Sequence, residues 1–533
     1  MNPRVERARW LPWLAAGIVA LVAGASLRWA ATHPYGFNWD EALYINQLQA
    51  DLARWHDGGF IGLFKAWLTV DPARPPAYRI LAFPFAAAFG ASPVVLRSVA
   101  LLFRTLSIAL VYAGTRRVAG ASAGAIASIA VALSPDIIFF GTAFYTEFSI
   151  YLATAGVCCF LMLAWDEPAP SGGVCIGLGV SLGIGALAKA SFAAIAGPLI
   201  VVAFALSVRR RIRGPGPQFL VVASGIGALI AFPWWLRNHG SALRYADYAA
   251  HYSASSLGVP GIRTTGLYAA RFLLEGTGVP LAFVGIAIVA AAVAGLWRAR
   301  NTLRLTPQVV AAWCLVLAAA PTCLLPLATQ NQVIYHASQA VIPLAMGLAI
   351  LAVDQGWAVS PVKFAVLDAT IAIQAALTMA PVFVREEFSG LRTPWTALAA
   401  WEQWDWNQLR TLLLATGMTQ PSIGYLGAMS VLNPPQIAYP WVRNGERAPD
   451  VTWMWRAESG PADLDALVAS AGKYDVIVTC PELTAQDRPG ENAYNQHNAE
   501  FAARLGAAPG FRPPLHLRMG RFHSTDLWVY VRR

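Results

Sequence analysis

The sequence predicts a polytopic α-helical membrane protein with about 11 transmembrane helices and a C-terminal soluble α/β domain. Three observations predict it. Only 13% of the 533 residues are charged, about half the share usual in soluble proteins. Apolar runs close to the ~20 residues that cross a bilayer recur through the first 385 positions. Beyond that point charged residues return and the apolar runs shorten to strand length.

Apolar runs set against basic loops give the spans 11–31, 94–115, 119–138, 146–165, 171–189, 191–207, 218–236, 278–296, 308–328, 334–353 and 361–384. The formal net charge of +10 does not point to nucleic acid, because the basic residues gather in short loops. These are Arg4, Arg7 and Arg9; Arg116 and Arg117; the run RRRIR at 209–213; and Arg298, Arg300 and Arg304. Such a pattern marks cytoplasmic loops and a cytoplasmic N-terminus. The run 11–31 is too long for a signal-peptide core and reads as a first span.

Residues 77–91 are apolar but short and interrupted by Pro84, so they read as an interfacial or re-entrant piece. A span there would invert the topology and put Arg116, Arg117 and the 209–213 run outside. Three regions are then expected outside: the first loop, 32–93; a loop at 237–277; and everything after about 385.

The membrane domain is expected over 1–385 and an extracytoplasmic α/β domain over 386–533. In the latter, SIGYL (422–426), VTWMW (451–455), YDVIVT (474–479) and LWVYV (527–531) have strand character. Helical spacing marks 462–470 and 493–505, and a helix over 398–416 is expected to lead into the domain. The acids Asp475, Glu482, Asp487 and Glu491 read as solvated surface. Five of the six cysteines fall in apolar spans and Cys480 is alone in the tail, so neither a metal motif nor a disulfide framework is present.

Chemistry concentrates near the outer edge. Asp40 and Glu41 open an amphipathic stretch, FNWDEALYINQLQADLARW, suited to lying on a membrane surface. FIGLFKAWL follows as a second interfacial helix, and then DPARPPAY with Arg74. Glu147 lies in SPDIIFFGTAFYTEFSIYL with a dozen nearly all apolar residues after it. A carboxylate at the bilayer centre costs about 2.5–3.5 kcal/mol, so acids in such surroundings usually face a cavity. Lys189 and Arg237 fall on the outer side, where positive-inside bias does not explain them. With His336 they suit an anionic ligand, and Arg grips phosphate through two parallel bonds.

Taken in order, WDEALY, RPPAY, SPDIIFFGTAFYTE, GALAKASF, PWWLRN and YHASQAVIPLAMGLAIL resemble the GT-C polytopic membrane glycosyltransferases. That group includes the protein O-mannosyltransferases and the lipid A aminoarabinose transferases. The resemblance covers roughly residues 30–385 and leaves the tail unassigned. It implies transfer of a sugar from a polyprenyl-phosphate-linked donor to an acceptor on the outer, periplasmic face, with inversion at the sugar carbon. The acceptor is a glycan, a lipid or a protein. The location it implies is a bacterial inner membrane, with the C-terminal domain extracytoplasmic.

Such a reaction needs a base at the acceptor hydroxyl and positive charge at the departing phosphate. Asp40 is the candidate base or acceptor-positioning group, with Glu41 and Glu147 as candidates to share the role or hold a divalent cation. Carboxylate oxygens suit Mg²⁺ or Mn²⁺, and no tight ligand motif requires either. Arg74, Lys189, Arg237 and His336 are the candidate phosphate ligands. A transporter or flippase of a lipid-linked saccharide is the rival reading. It predicts polar residues at the membrane midplane and two related halves, whereas the acids here gather at one face and no internal repeat stands out. A scaffold or sensor would leave Asp40, Glu41 and Glu147 without a common purpose.

Overall fold

A computed structural model describes residues 10–32, 39–165, 167, 170–209, 216–257, 262–298, 306–328, 337–383, 404–427, 432–455, 462–482, 495–519 and 525–533. The predicted helical domain is there. Its helices are α1 (Leu11–Thr32), α2 (Trp39–Thr69), α3 (Ala77–Phe89), α4 (Pro93–Ala132), α5 (Pro135–Thr142), α6 (Glu147–Ala164) and α7 (Gly172–Ala186). There follow α8 (Ala193–Val208), α9 (Pro217–Leu257), α10 (Ile262–Arg271), α11 (Val279–Arg298), α12 (Pro307–Ala328), α13 (Val341–Asp354) and α14 (Pro361–Phe383). Among the described residues seven helices are long and apolar enough to cross a membrane, and α3, α7, α11 and the 338–354 segment are shorter apolar helices.

Local sequence sets several boundaries. Ser92, Ser134 and Ser171 each cap a helix by accepting the backbone N–H three residues on, and Pro93 and Pro135 sit in the first turn, where no N–H is needed. Two glycines break helices because they take backbone angles that other residues avoid. Gly59, at φ +56°, splits α2 at the junction of the two expected interfacial helices. Gly120, at φ +85°, splits α4 where two spans, 94–115 and 119–138, were expected, so the second ends at Ala132 and a separate short helix follows.

The described residues of 237–277 are helical, not loop. Helix α9 runs on to Leu257, and α10 with a π-helical turn at Phe272–Thr277 runs from Ile262. The run continues through Arg237, His239 and Gly240, a basic-then-glycine pattern that often ends a helix, and no proline lies in 237–250 to stop it.

Helix α6 is the centre of the bundle, with 89% of its residues buried. Small residues let its neighbours approach. A Cβ on Gly114 of α4 would lie 2.7 Å from the Cys159 backbone of α6, and one on Gly179 of α7 would lie 2.8 Å from the Ala223 carbonyl of α9. Association of helices in lipid depends on this kind of close packing.

The C-terminal domain is a five-stranded mixed sheet with helices on both faces. Its elements are α15 (Asn407–Ala415), β1 (Ser422–Leu426), α16 (Pro434–Arg443), β2 (Asp450–Trp453), α17 (Leu464–Ala471), β3 (Val476–Thr479), α18 (Asn498–Ala507), β4 (Leu515–Met519) and β5 (Thr525–Val531). The order is β2-β1-β3-β5-β4, with β1 parallel to β2 and β3, and β5 antiparallel to β3 and β4. Strand alternation splits the core: Ile423, Tyr425, Val476 and Val478 pack with α15 and α16, while Leu426, Ile477 and Tyr530 pack with α17 and α18.

All four expected strands and both expected helices are present. The expected 398–416 helix is shorter, Asn407–Ala415, and its first six positions, like the 385/386 domain division, lie outside the described residues. Helix α16 and edge strand β4 were not anticipated. His516 and Arg518 are the exposed polar positions of an alternating LHLRM strand, and polar residues of this kind suit an edge strand. The two parts of the chain meet where the Asn46 amide of α2 donates to the Pro435 carbonyl of α16 at 2.9 Å. Tyr439 of α16 packs into the core of the helical domain.

Candidate functional site

The site begins on one face of α2. Asp40, Tyr44, Gln47 and Asp51 are spaced by four, three and four residues, so they stack along a single stripe. Tyr44 packs on Tyr78 and Tyr145, with ring centroids 4.7 and 6.1 Å away. Gln47 donates to Asp71 Oδ2 at 2.8 Å and accepts a hydrogen bond from the Tyr78 hydroxyl.

Asp71 in turn builds the loop that carries Arg74. Its Oδ1 accepts the backbone N–H groups of Ala73 and Arg74 at 3.0 Å each, an Asx turn that the DPAR sequence encodes. The Arg74 guanidinium lies 4.5 Å from the centre of the Tyr245 ring, donates to that hydroxyl at 3.0 Å, and pairs with Asp71 at 3.4 Å. The next turn joins α3 to the end of α7, since the Ala77 N–H donates to the Leu187 carbonyl at 2.8 Å. Two residues on stands Lys189.

Lys189 Nζ bonds Glu147 Oε1 at 2.9 Å, and the Thr146 hydroxyl donates to Glu147 Oε2 at 3.1 Å. Glu147 is 3% exposed and is the first residue of α6. The positive end of that helix favours a carboxylate there, which offsets part of the cost of burial.

Asp40 faces this group. Its charge neighbours are Arg74, Glu147 and Lys189. Burial pushes its carboxyl above the ordinary carboxylate range; Arg74 and Lys189 oppose the shift and Glu147 adds to it. Burial also holds the Tyr44 hydroxyl in its neutral form, reinforced by Asp40. Burial opposes the charge on Arg74, but Tyr44, Tyr245, Asp40 and Asp71 together keep it firmly cationic. The result is a partly exposed carboxylate, more basic than usual, beside two cations.

Four of the expected residues, Asp40, Arg74, Glu147 and Lys189, therefore come together from four separate segments. Glu41 and Arg237 do not join them. Glu41 is fully buried: Arg97 Nε and Nη2 each bond one of its oxygens at 2.8 Å, and the Phe144 N–H donates to Oε1 at 2.8 Å. It clamps the start of α2 to the turn before Glu147, and both its oxygens are committed. This does not fit a divalent-cation ligand or a base, since Glu41 has no oxygen facing the opening and Glu147 is engaged by Lys189. No group of three or more His, Cys, Asp or Glu suited to a metal occurs among the described residues. Arg237 is exposed on α9 and makes no ion pair among the described residues. Position 336 lies outside the described residues.

Sequence reasoning passed over Tyr44, Asp71, Arg97 and Tyr245. The first two carried a signal: Tyr44 is one helical turn from Asp40, and Asp71 three residues before Arg74. Arg97 and Tyr245 meet their partners only through tertiary structure.

Residues 73–236 match the family model described as dolichyl-phosphate-mannose-protein mannosyltransferase, a segment of less than a third of the chain. It holds Arg74, Glu147 and Lys189. Among solved structures, ArnT from Cupriavidus metallidurans bound to undecaprenyl phosphate is similar over 97% of each chain, at 15% identity and a TM-score of 0.61. The archaeal oligosaccharyltransferase AglB from Archaeoglobus fulgidus, in complex with an inhibitory peptide and a dolichol-phosphate, is similar over 89% of this chain and 70% of that one, at 14% identity and a TM-score of 0.51. No curated protein matches the chain in sequence. The fold is shared with ArnT, in the group that the motif order resembles, and the likeness extends through the C-terminal domain.

Proposed function

We propose that the protein is a membrane glycosyltransferase that moves a sugar from a polyprenyl-phosphate donor to an acceptor on the periplasmic face of a bacterial inner membrane. One observation carries the reading: a carboxylate of raised basicity, Asp40, beside Arg74 and the Lys189–Glu147 pair. The likeness of fold to ArnT, solved with undecaprenyl phosphate, supports the donor class.

In the proposed step an acceptor hydroxyl attacks the anomeric carbon as Asp40 takes its proton. The new C–O bond forms on the face opposite the leaving group, so the sugar carbon inverts. The old bond to the phosphate oxygen breaks, and its electron pair stays on the polyprenyl phosphate. Arg74 stands at that developing charge, with Lys189 held nearby by Glu147. A positioned base contributes about 10²–10⁴-fold, and charge fixed in advance at the leaving group often contributes more. Arg237 and His336 remain candidates for outlying phosphate contacts. The C-terminal domain, docked on the helix that carries Asp40, is suited to receive the acceptor.

The test uses purified protein in proteoliposomes, a panel of undecaprenyl-phosphate sugars, and membrane extract as acceptor. Label transferred from one donor supports the proposal. Outward movement of intact donor without any transfer would replace it with the flippase reading.

A further inference from the structure

Helix α9 passes Gly240 and runs on to Leu257, and the reaction outlined above leaves this outer stretch without a task. Trp235, Asn238 and Tyr245 are three and then seven residues apart, so they fall within one arc of its surface. Trp235 Nε1 donates to the Ala186 carbonyl at 3.0 Å, at the end of α7 and three residues before Lys189. The buried Asn238 donates Nδ2 to the Leu68 carbonyl at 3.0 Å, at the end of α2. Tyr245 then meets Arg74: Nη2 donates to its hydroxyl at 3.0 Å, and the guanidinium carbon lies 4.5 Å from its ring centre. One helix face thus braces the two segments that carry the cations of the site.

Arg74 needs such a hold. Pro72, Pro75 and Pro76 restrict the backbone around it, but its side chain is long and loses rotamer freedom when it grips an anion. Within its own loop Asp71 reaches it across a long 3.4 Å, and the same Oδ2 is shared with Gln47. Tyr245 supplies the closer bond, from 171 residues away. A hydroxyl and a ring face hold a guanidinium without cancelling its charge, as a second carboxylate would. Asp71 and Tyr245 engage one N–H on each terminal nitrogen. A guanidinium has five, so N–H groups remain for the paired bonds that a phosphate accepts.

We propose that Tyr245 is a positioning residue for the leaving phosphate, fixing the Arg74 guanidinium in advance so that its remaining N–H groups meet the polyprenyl phosphate. The proposal rests on the glycosyltransferase reading for the identity of the anion. It also explains why α9 must stay helical beyond the bilayer, since a chain that turned away at Gly240 would not carry Tyr245 to Arg74.

The test is a titration of the full chain in nanodiscs with undecaprenyl phosphate, followed by native mass spectrometry. Tyr245→Phe keeps the ring and loses the hydroxyl; Tyr245→Leu loses both. The freedom returned to Arg74 should weaken binding about 2- to 4-fold in Tyr245→Phe and about 5- to 10-fold in Tyr245→Leu. In an Arg74→Gln background, Tyr245→Leu should cause no further loss, because a residue that acts through Arg74 has nothing left to position. The thermal midpoint reports whether each variant is folded, and Tyr245→Phe carries the test if Tyr245→Leu is not. The proposal is overturned if the folded variants bind like the wild type, or if Tyr245→Leu weakens binding by the same factor with glutamine at 74, as a merely structural role would. A wild type that binds no undecaprenyl phosphate would refute the donor reading and this proposal with it. The expected binding pattern in a chain that never transfers sugar would refute the enzyme reading alone.

Discussion

The clamp of Glu41, Arg97 and the Phe144 N–H makes a quantitative prediction. Both side chains are fully buried, and two bonds of 2.8 Å join them in parallel. Arg97→Met would leave the Glu41 carboxylate buried with one backbone N–H, and breaking a buried pair this way costs about 3–5 kcal/mol. Glu41→Leu strands the guanidinium over the Trp29 ring, 4.6 Å from its centre, at a similar cost. The double variant removes both charges and takes the side-chain partner from the Phe144 N–H, about 1–3 kcal/mol. The double variant should therefore be more stable than either single one. At a few degrees per kcal/mol, each single variant should lower the unfolding midpoint in detergent by on the order of 10 °C, at a fixed scan rate. A double variant that melts below both single variants would refute the reasoning, because the pair would then not be coupled.

Three further outcomes follow from the same geometry. The rate should rise with pH as Asp40 loses its proton, with the limb above the ordinary carboxylate range. Removing the negative neighbour in Glu147→Gln should move that limb down, and removing the cation in Arg74→Gln should move it up, as kcat/KM profiles of the residual activity would register. In the C-terminal domain, hydrogen bonds from the Ser422 backbone and hydroxyl, helped by Arg532, hold the Asp475 carboxyl below its ordinary range. That stability is present above the unfolded value and is lost as pH falls through the folded one, so Asp475→Asn should melt earlier at neutral pH and match the wild type in strong acid. Gly179→Val should disrupt the α7–α9 contact, where the added carbon meets the Ala223 carbonyl backbone at 2.8 Å, and lower the yield of folded protein on size exclusion.

Much of the fold was legible because a bilayer imposes a length on every apolar run. Every predicted span contains helix, and 77–91 holds a short helix that runs through Pro84 and ends at Gly90. Helix ends were less legible where a local stop signal is overridden, as at Gly240 in α9, which runs through a stretch expected to be a loop. The buried runs SIGYL and VIVT stood out by their apolar and β-branched content, whereas β4, LHLRM, alternates but carries no β-branched residue and was passed over. At the site, the residue types of Asp40, Arg74, Glu147 and Lys189 stood out against their apolar surroundings. The division of labour between Asp40 and Glu41 did not. Adjacent acids look alike in a sequence, and only the position of Arg97, 56 residues away, turns one inward and leaves the other at the opening.

The most direct test of the central claim is a comparison of wild type with Asp40→Asn in proteoliposomes, with donor binding and sugar transfer measured on the same preparations. Asparagine keeps the size of the side chain and removes the base. The account predicts that donor binding persists while transfer falls about 10²–10⁴-fold. Transfer at the wild-type rate by a folded Asp40→Asn protein would contradict it and move the base elsewhere.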